Sequence, residues 1–230
     1  MRLVLVRWGG LAAVILGLLF VFRLLGEALA GANVIGDDAA VFLEHLDGGG
    51  SQAAVTTAVL AIFLSPLALF PMLLGLVYAV DERRRPIAML AAAMMAFGAV
   101  LLVVAFAFFG SLLAISDAFV DTTVALRDPL AEDGQQAARM FNLLLIAGYT
   151  ITGGGVLLFG RLLWSSEIAP RWIAWVTLLT GLAMLLFIFV APAVYFAHPL
   201  WLLLLGWQLY TRANTRITAE LARQQFARPS

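Results

Sequence analysis

Apolar residues in this chain do not recur at every second, third or fourth position. They run on, and six such runs follow one another between short polar breaks. The runs cover about residues 8–30, 53–80, 86–115, 140–163, 172–191 and 199–211. A helix needs about 20 apolar residues to cross the ~30 Å hydrocarbon core, and every run but the last is that long. The pattern predicts an all-α fold, a polytopic transmembrane bundle of six helices forming one domain over residues 1–211. The last run would rise only ~18 Å at 1.5 Å per residue. The expected remedy is that Arg212 snorkels and the helix continues through Ile217, Leu221 and Phe226, giving residues 212–230 the character of a basic helical tail.

The breaks carry their own signals. In the first, Asp37 and Asp38 suit the start of a short amphipathic helix with Ala39, Phe42, Leu43 and Leu46 on one face, ended by Gly48-Gly49-Gly50. The third, about residues 116–138, is acidic, and Asp128-Pro129 and Asp133-Gly134 read as turns. The second and fourth are short and basic, and Pro86 and Pro170 suit helix starts. Tyr195, Phe196, the His198-Pro199 pair and Trp201 are expected at a turn between the fifth and sixth helices.

Charge then orients the bundle. The N-terminus, the second and fourth connections and the tail hold 11 of the 14 arginines, from Arg2 and Arg7 to Arg223 and Arg228. The opposite side holds 10 of the 14 acids against Arg23, Arg127 and Arg139. Short arginine-rich connections stay in the cytoplasm, so both termini are expected there. Trp8, Tyr78, Trp164, Trp172, Trp175, Trp207 and Tyr210 fall near the same helix ends, where an amphipathic ring meets the headgroups. Arg2 and Arg7, an apolar run and Ala28-Leu29-Ala30 imitate a secretory signal. Arg23 and Glu27 interrupt that signal before its cleavage site, so the first helix is expected to stay as an anchor.

Composition narrows the chemistry. Hydrophobic residues are 63% of the 230 and charged residues 12%, half the share of a soluble domain, so lipid must cover what one core cannot. A formal net charge of zero argues against nucleic acid as a partner. The chain has no cysteine and no lysine, which removes thiolate ligands, disulfides, Schiff-base cofactors and a P-loop. The two histidines, His45 and His198, have no ligand spacing, so no metal and no haem or other cofactor is expected.

Three groups of residues are candidates for function. Ser65 beside Pro66, with Pro71 a turn later, marks a kink in the second helix. The fourth helix is the most polar, with Asn142, Tyr149, Thr150, Thr152 and the run Gly153-Gly154-Gly155. Together Ser65, Asn142, Tyr149, Gly153 and Gly154 would bound a polar cavity if the fourth helix were broken there, as in some transporters. The competing reading is close packing, since Gly148 with Thr152 and Thr150 with Gly154 form small-xxx-small pairs. Arg23 and Glu27, spaced i, i+4, form a candidate intramembrane ion pair. Arg212, Arg216 and Arg223 make the tail a candidate contact for anionic lipid or an acidic partner.

The fourth connection also carries a resemblance. The string Leu163-Trp164-Ser165-Ser166-Glu167-Ile168-Ala169-Pro170-Arg171-Trp172-Ile173-Ala174-Trp175, followed by Leu178, Leu179, Gly181 and Leu182, is similar to the signature of a bacterial family of six-helix membrane proteins, a domain of unknown function. The helix count, the acidic outer connections and Pro192 late in the fifth run fit over most of the chain. The resemblance implies topology and a bacterial inner membrane, and it assigns no site residues.

These observations lead to a non-enzymatic multipass protein, an accessory or sensory subunit of a membrane complex, with lipid and another membrane or cytoplasmic protein as partners. The alternatives are a small-molecule transporter or channel built around the glycine-rich fourth helix and, less favoured, a lipid-acting enzyme. The middle of the helices lacks the ionisable relay that coupled transport ordinarily uses.

Overall fold

Long apolar runs in a medium without water must close their own backbone hydrogen bonds, and the α-helix does so within one segment. The computed structural model describes residues 1–29, 43, 44, 46 and 49–226. Among them are six α-helices and no strand: α1 Arg2–Leu29, α2 Gly49–Ala79, α3 Arg85–Val120, α4 Val124–Leu163, α5 Arg171–Leu185 and α6 Phe187–Phe226, with a 3-10 turn at Glu82–Arg84. Four stretches, Arg2–Leu29, Gly50–Ala79, Glu82–Val120 and Leu126–Leu163, are long and apolar enough to cross a membrane, and Arg171–Leu185 is apolar but shorter. The expected amphipathic helix beginning at Asp37 lies outside the described residues apart from Leu43, Glu44 and Leu46, and His45 lies outside them too.

Helix ends differ from the apolar runs because hydrogen bonding does not stop where hydropathy falls. Gly49 and Gly50 open α2, where the sequence suggested that they end the short amphipathic helix. The acidic stretch 116–138 is almost all helix, with only residues 121–123 between α3 and α4. Pro129 lies inside α4 near its start, where little of the hydrogen-bond ladder precedes it. Gly134 is a packing position: a Cβ there would stand 3.0 Å from Leu43 Cδ1.

The largest shift concerns α5 and α6. Leu186 (φ −93°, ψ 22°) ends α5, its N–H bonded to Leu182 O, and Val190 (φ −131°, ψ 26°) kinks the start of α6. Phe187 meets Tyr195 edge to face, Trp201 bonds Thr177, and Arg216 bonds Glu167, so the two helices run antiparallel from a reversal at 186–190. Tyr195, Phe196, His198, Pro199 and Trp201 therefore lie within α6, not at a turn. Pro192 falls in the first turn after the kink, where a missing N–H costs little. From Ala191 to Arg212 the helix rises ~33 Å, so the short last run is lengthened at its start as well as its end.

Trp201 is 1% exposed, and its Nε1 donates to Thr177 Oγ1 at 2.9 Å. Replacing it with phenylalanine loses the bond and part of the ring's volume, so W201F should lower stability by more than the ~1 kcal/mol of the bond alone, seen as a lower melting temperature in detergent. T177V should then add little in the W201F background. Full additivity of the two changes would mean that the bond is not what Trp201 contributes.

The helices contribute to two compact units: Met1–Leu18, Pro66–Phe97 and Thr150–Ser230 in unit 1, and Leu19–Ser65 and Gly98–Tyr149 in unit 2. Small residues bring backbones together in both. In unit 1, a Cβ on Gly9 would meet Gly75 Cα of α2 at 2.5 Å, and one on Gly10 would meet Gly206 O of α6 at 2.8 Å. The arginine-bearing connections gather at one end of this unit. Arg2 donates to Tyr78 O (2.8 Å) and Val80 O (3.3 Å), Ser166 Oγ to Ala79 O (2.8 Å), and Arg84 to Ser165 Oγ. In unit 2, Gly26 of α1 lies against Ala54 and Ala58 of α2, and Gly148 of α4 against Gly98 and Leu102 of α3.

Candidate functional site

A guanidinium is hard to bury, since it carries charge and five N–H groups. Arg23 on α1 is nevertheless fully buried, the largest fully buried side chain among the described residues of unit 2, and Glu27 one turn later is 8% exposed. Their i, i+4 spacing places them on one face of the helix, and Arg23 Nε donates to Glu27 Oε1 at 2.7 Å. A second donor, Nη1, reaches the hydroxyl of Tyr149 on α4. Three aromatic rings surround the cation: Phe106 of α3 at 4.8 Å from the guanidinium carbon, Tyr149 at 5.5 Å and Phe20 at 5.6 Å. Desolvated cation–π contacts of this kind are worth roughly 2 kcal/mol at best. A carboxylate, a phenol and three ring faces thus replace the water the guanidinium gave up.

Behind Phe106 the aromatic layer continues. Phe141 stands edge-on to it at 5.4 Å, and Phe109 stacks on Phe141 at 5.1 Å. Arg23 therefore ties α1 to both α3 and α4 inside unit 2. The i, i+4 pair was legible from spacing, and Phe20, three residues before Arg23, shares its face. Phe106 and the identity of Tyr149 as the phenolic partner were not, because they come from helices 83 and 126 positions away.

The residues proposed to bound a polar cavity each have a different setting within their own unit. Ser65 is 5% exposed, and its hydroxyl donates back to Ile62 O within α2. Asn142 is exposed on α4. Tyr149 belongs to the Arg23 cluster. Gly153 is filled from α5, where a Cβ would stand 2.8 Å from Leu185 N and 2.9 Å from Gly181 O. Gly154 would meet only the Met94 Cε, at 2.6 Å, whereas Gly155 would meet Ala91 O at 2.6 Å. The glycine run remains α-helical throughout and acts as a contact surface.

The tail residues are also separated by what they touch. Arg212 and Arg223 are exposed, while Arg216 donates to Glu167 O at 2.7 Å and approaches its carboxylate at 3.5 Å. Glu167, Arg216, Glu220, Ile168 and Arg2 line a cleft of about 280 Å³. Two arginines and two glutamates face it. Among the described residues no group of three His, Asp or Glu side chains is placed to hold a metal ion.

The model for the domain family of unknown function DUF4386 matches residues 11–211. The chain belongs to this family. The match takes in α2 to α5 completely and most of α1, along with Arg23, Glu27, Tyr149 and the tryptophan elbow, and it ends one residue before Arg212. DUF4386 thus covers the membrane-length helices and leaves the last turns of α6 outside. No curated protein matches the chain, and no solved structure does.

Proposed function

We propose that the chain is a six-span protein of a bacterial inner membrane, with both termini in the cytoplasm, acting as a non-enzymatic accessory or sensory subunit of a membrane complex. The observation that carries this reading is the far end of α6. Ala213 is buried, none of residues 214–223 is, and Leu221 is 56% exposed. A short helix standing alone in water is marginal, so an arm of this kind gains most from a partner laid against it. Filled glycine faces and an exposed Asn142 favour this role over a transporter with a site at the fourth helix. The arginines at the same end of unit 1 support a cytoplasmic assignment.

Two measurements test the reading. Reporter fusions after Arg85, Arg171 and Arg228 should report cytoplasm, and insertions at Gly49 or Thr122 the opposite side; a single inverted site would remove the six-span topology. A photo-crosslinking side chain at Leu221 should capture a discrete partner in native membranes, and the same probe at lipid-facing Leu179 should not. Absence of any Leu221 adduct would remove the accessory role.

A further inference from the structure

The inner elbow between α4 and α5 has more positive charge than its surroundings balance. Arg83, Arg84, Arg161 and Arg171 are all exposed, and among the described residues none has a carboxylate within ion-pair distance. Of the four acids at this end of unit 1, Glu82 pairs with Arg85 and Glu167 with Arg216, and Asp81 and Glu220 are too few to balance the remaining arginines. Arg84 instead donates to the neutral hydroxyl of Ser165, which fixes the α2–α3 connection against the elbow.

The same place is aromatic. Trp164 meets Trp175 edge to face at 4.8 Å. Arg161 lies three residues before Trp164, and Arg171 four before Trp175, so each arginine shares a helical face with one indole. From Trp175 (54% exposed) an uncovered apolar stripe continues along α5 through Leu179 (61%), Leu182 (48%) and Leu186 (45%). At 100° per residue these four side chains and Arg171 fall within one narrow sector of the helix. A cationic head zone therefore passes directly into an amphipathic ring pair and then into an exposed hydrocarbon track.

We propose that this elbow binds an anionic phospholipid of the inner leaflet, its phosphate held by Arg161, Arg171 and Arg84 and one acyl chain lying along the Trp175–Leu186 stripe. The charge is complementary to a headgroup of net negative charge, and guanidinium forks suit phosphate oxygens. A zwitterionic headgroup would bring its own ammonium beside the arginines and lose most of the attraction. The proposal rests on the membrane reading above.

Purified full-length protein, first floated with phosphatidylcholine liposomes, separates the two ideas: failure to float would remove the membrane reading itself. With flotation established, native mass spectrometry with phosphatidylglycerol and phosphatidylcholine reads the site. The parent should retain phosphatidylglycerol preferentially. At about one decade per 1.4 kcal/mol, loss of two surface arginines should reduce that preference roughly thirtyfold in R161Q/R171Q. The tail variant R212Q/R223Q should keep the preference, and W175F should keep the fold. A preference unchanged in R161Q/R171Q, or abolished by R212Q/R223Q instead, would overturn the assignment. Displacement of the lipid by an equal concentration of soluble glycerol phosphate would overturn the acyl-chain track.

Discussion

Replacing Glu27 with leucine is expected to cost about 3–5 kcal/mol, because it leaves the guanidinium of Arg23 buried without its carboxylate. The measured result should be a steep fall in the melting temperature and in the monodisperse yield in detergent. Removing both charges tells a different story. R23M/E27L exchanges a buried pair for apolar side chains of similar volume, and such exchanges are often close to neutral. The double variant should therefore be more stable than E27L alone, with a coupling energy opposite in sign to the single loss and at least as large. Y149F is the milder control: it removes one charge-assisted bond and leaves the ring face in place, for about 1.5 kcal/mol. If E27L melted with the parent protein, the pair would have no structural role, and Arg23 would have to be solvated.

The second large effect concerns the glycine run of α4. A leucine at Gly153 has nowhere to go, since its Cβ alone would stand 2.8 Å from the backbone nitrogen of Leu185. Backbone cannot rotate away as a side chain can, so α4 and α5 must separate, and overpacking of this kind costs roughly 1–3 kcal/mol or more. G154A is the internal comparison. Its added methyl meets only the flexible end of Met94, so it should be nearly neutral. Equal melting temperatures for G153L and G154A would mean that the contact with α5 is not made. A G153L protein that gained solute permeability in liposomes would restore a cavity at the fourth helix.

Several features of this protein are properties of the chain alone. Apolar runs of membrane length force helix, because each residue must bond its own backbone neighbours where no water can serve. The i, i+4 spacing of Arg23 and Glu27 determines their pairing, and the arginines at alternate connections mark which ends belong together. Those are local facts, decided within one or two helical turns or by simple counting. The arm of α6 was legible for the same reason, since nothing between Tyr210 and Arg223 interrupts a helix.

What only tertiary structure decided involves partners distant in sequence. Pro192 and Pro199 resemble helix ends in isolation, yet α6 runs through both because the Trp201–Thr177 bond to α5 and the Arg216–Glu167 bond to the α4–α5 connection hold it in register. Asn142 looked like a cavity residue and is exposed, while Gly153 is filled by backbone from α5. Which side of a helix faces a neighbour cannot be read from a run that is apolar all round, because hydropathy then has no direction. The rings around Arg23 follow the same rule. Beyond Phe20 on its own helical face, the other phenylalanines satisfy the sequence pattern equally, and only the packing of α1 against α3 and α4 selects Phe106 and Tyr149 to replace the water that a buried guanidinium gives up.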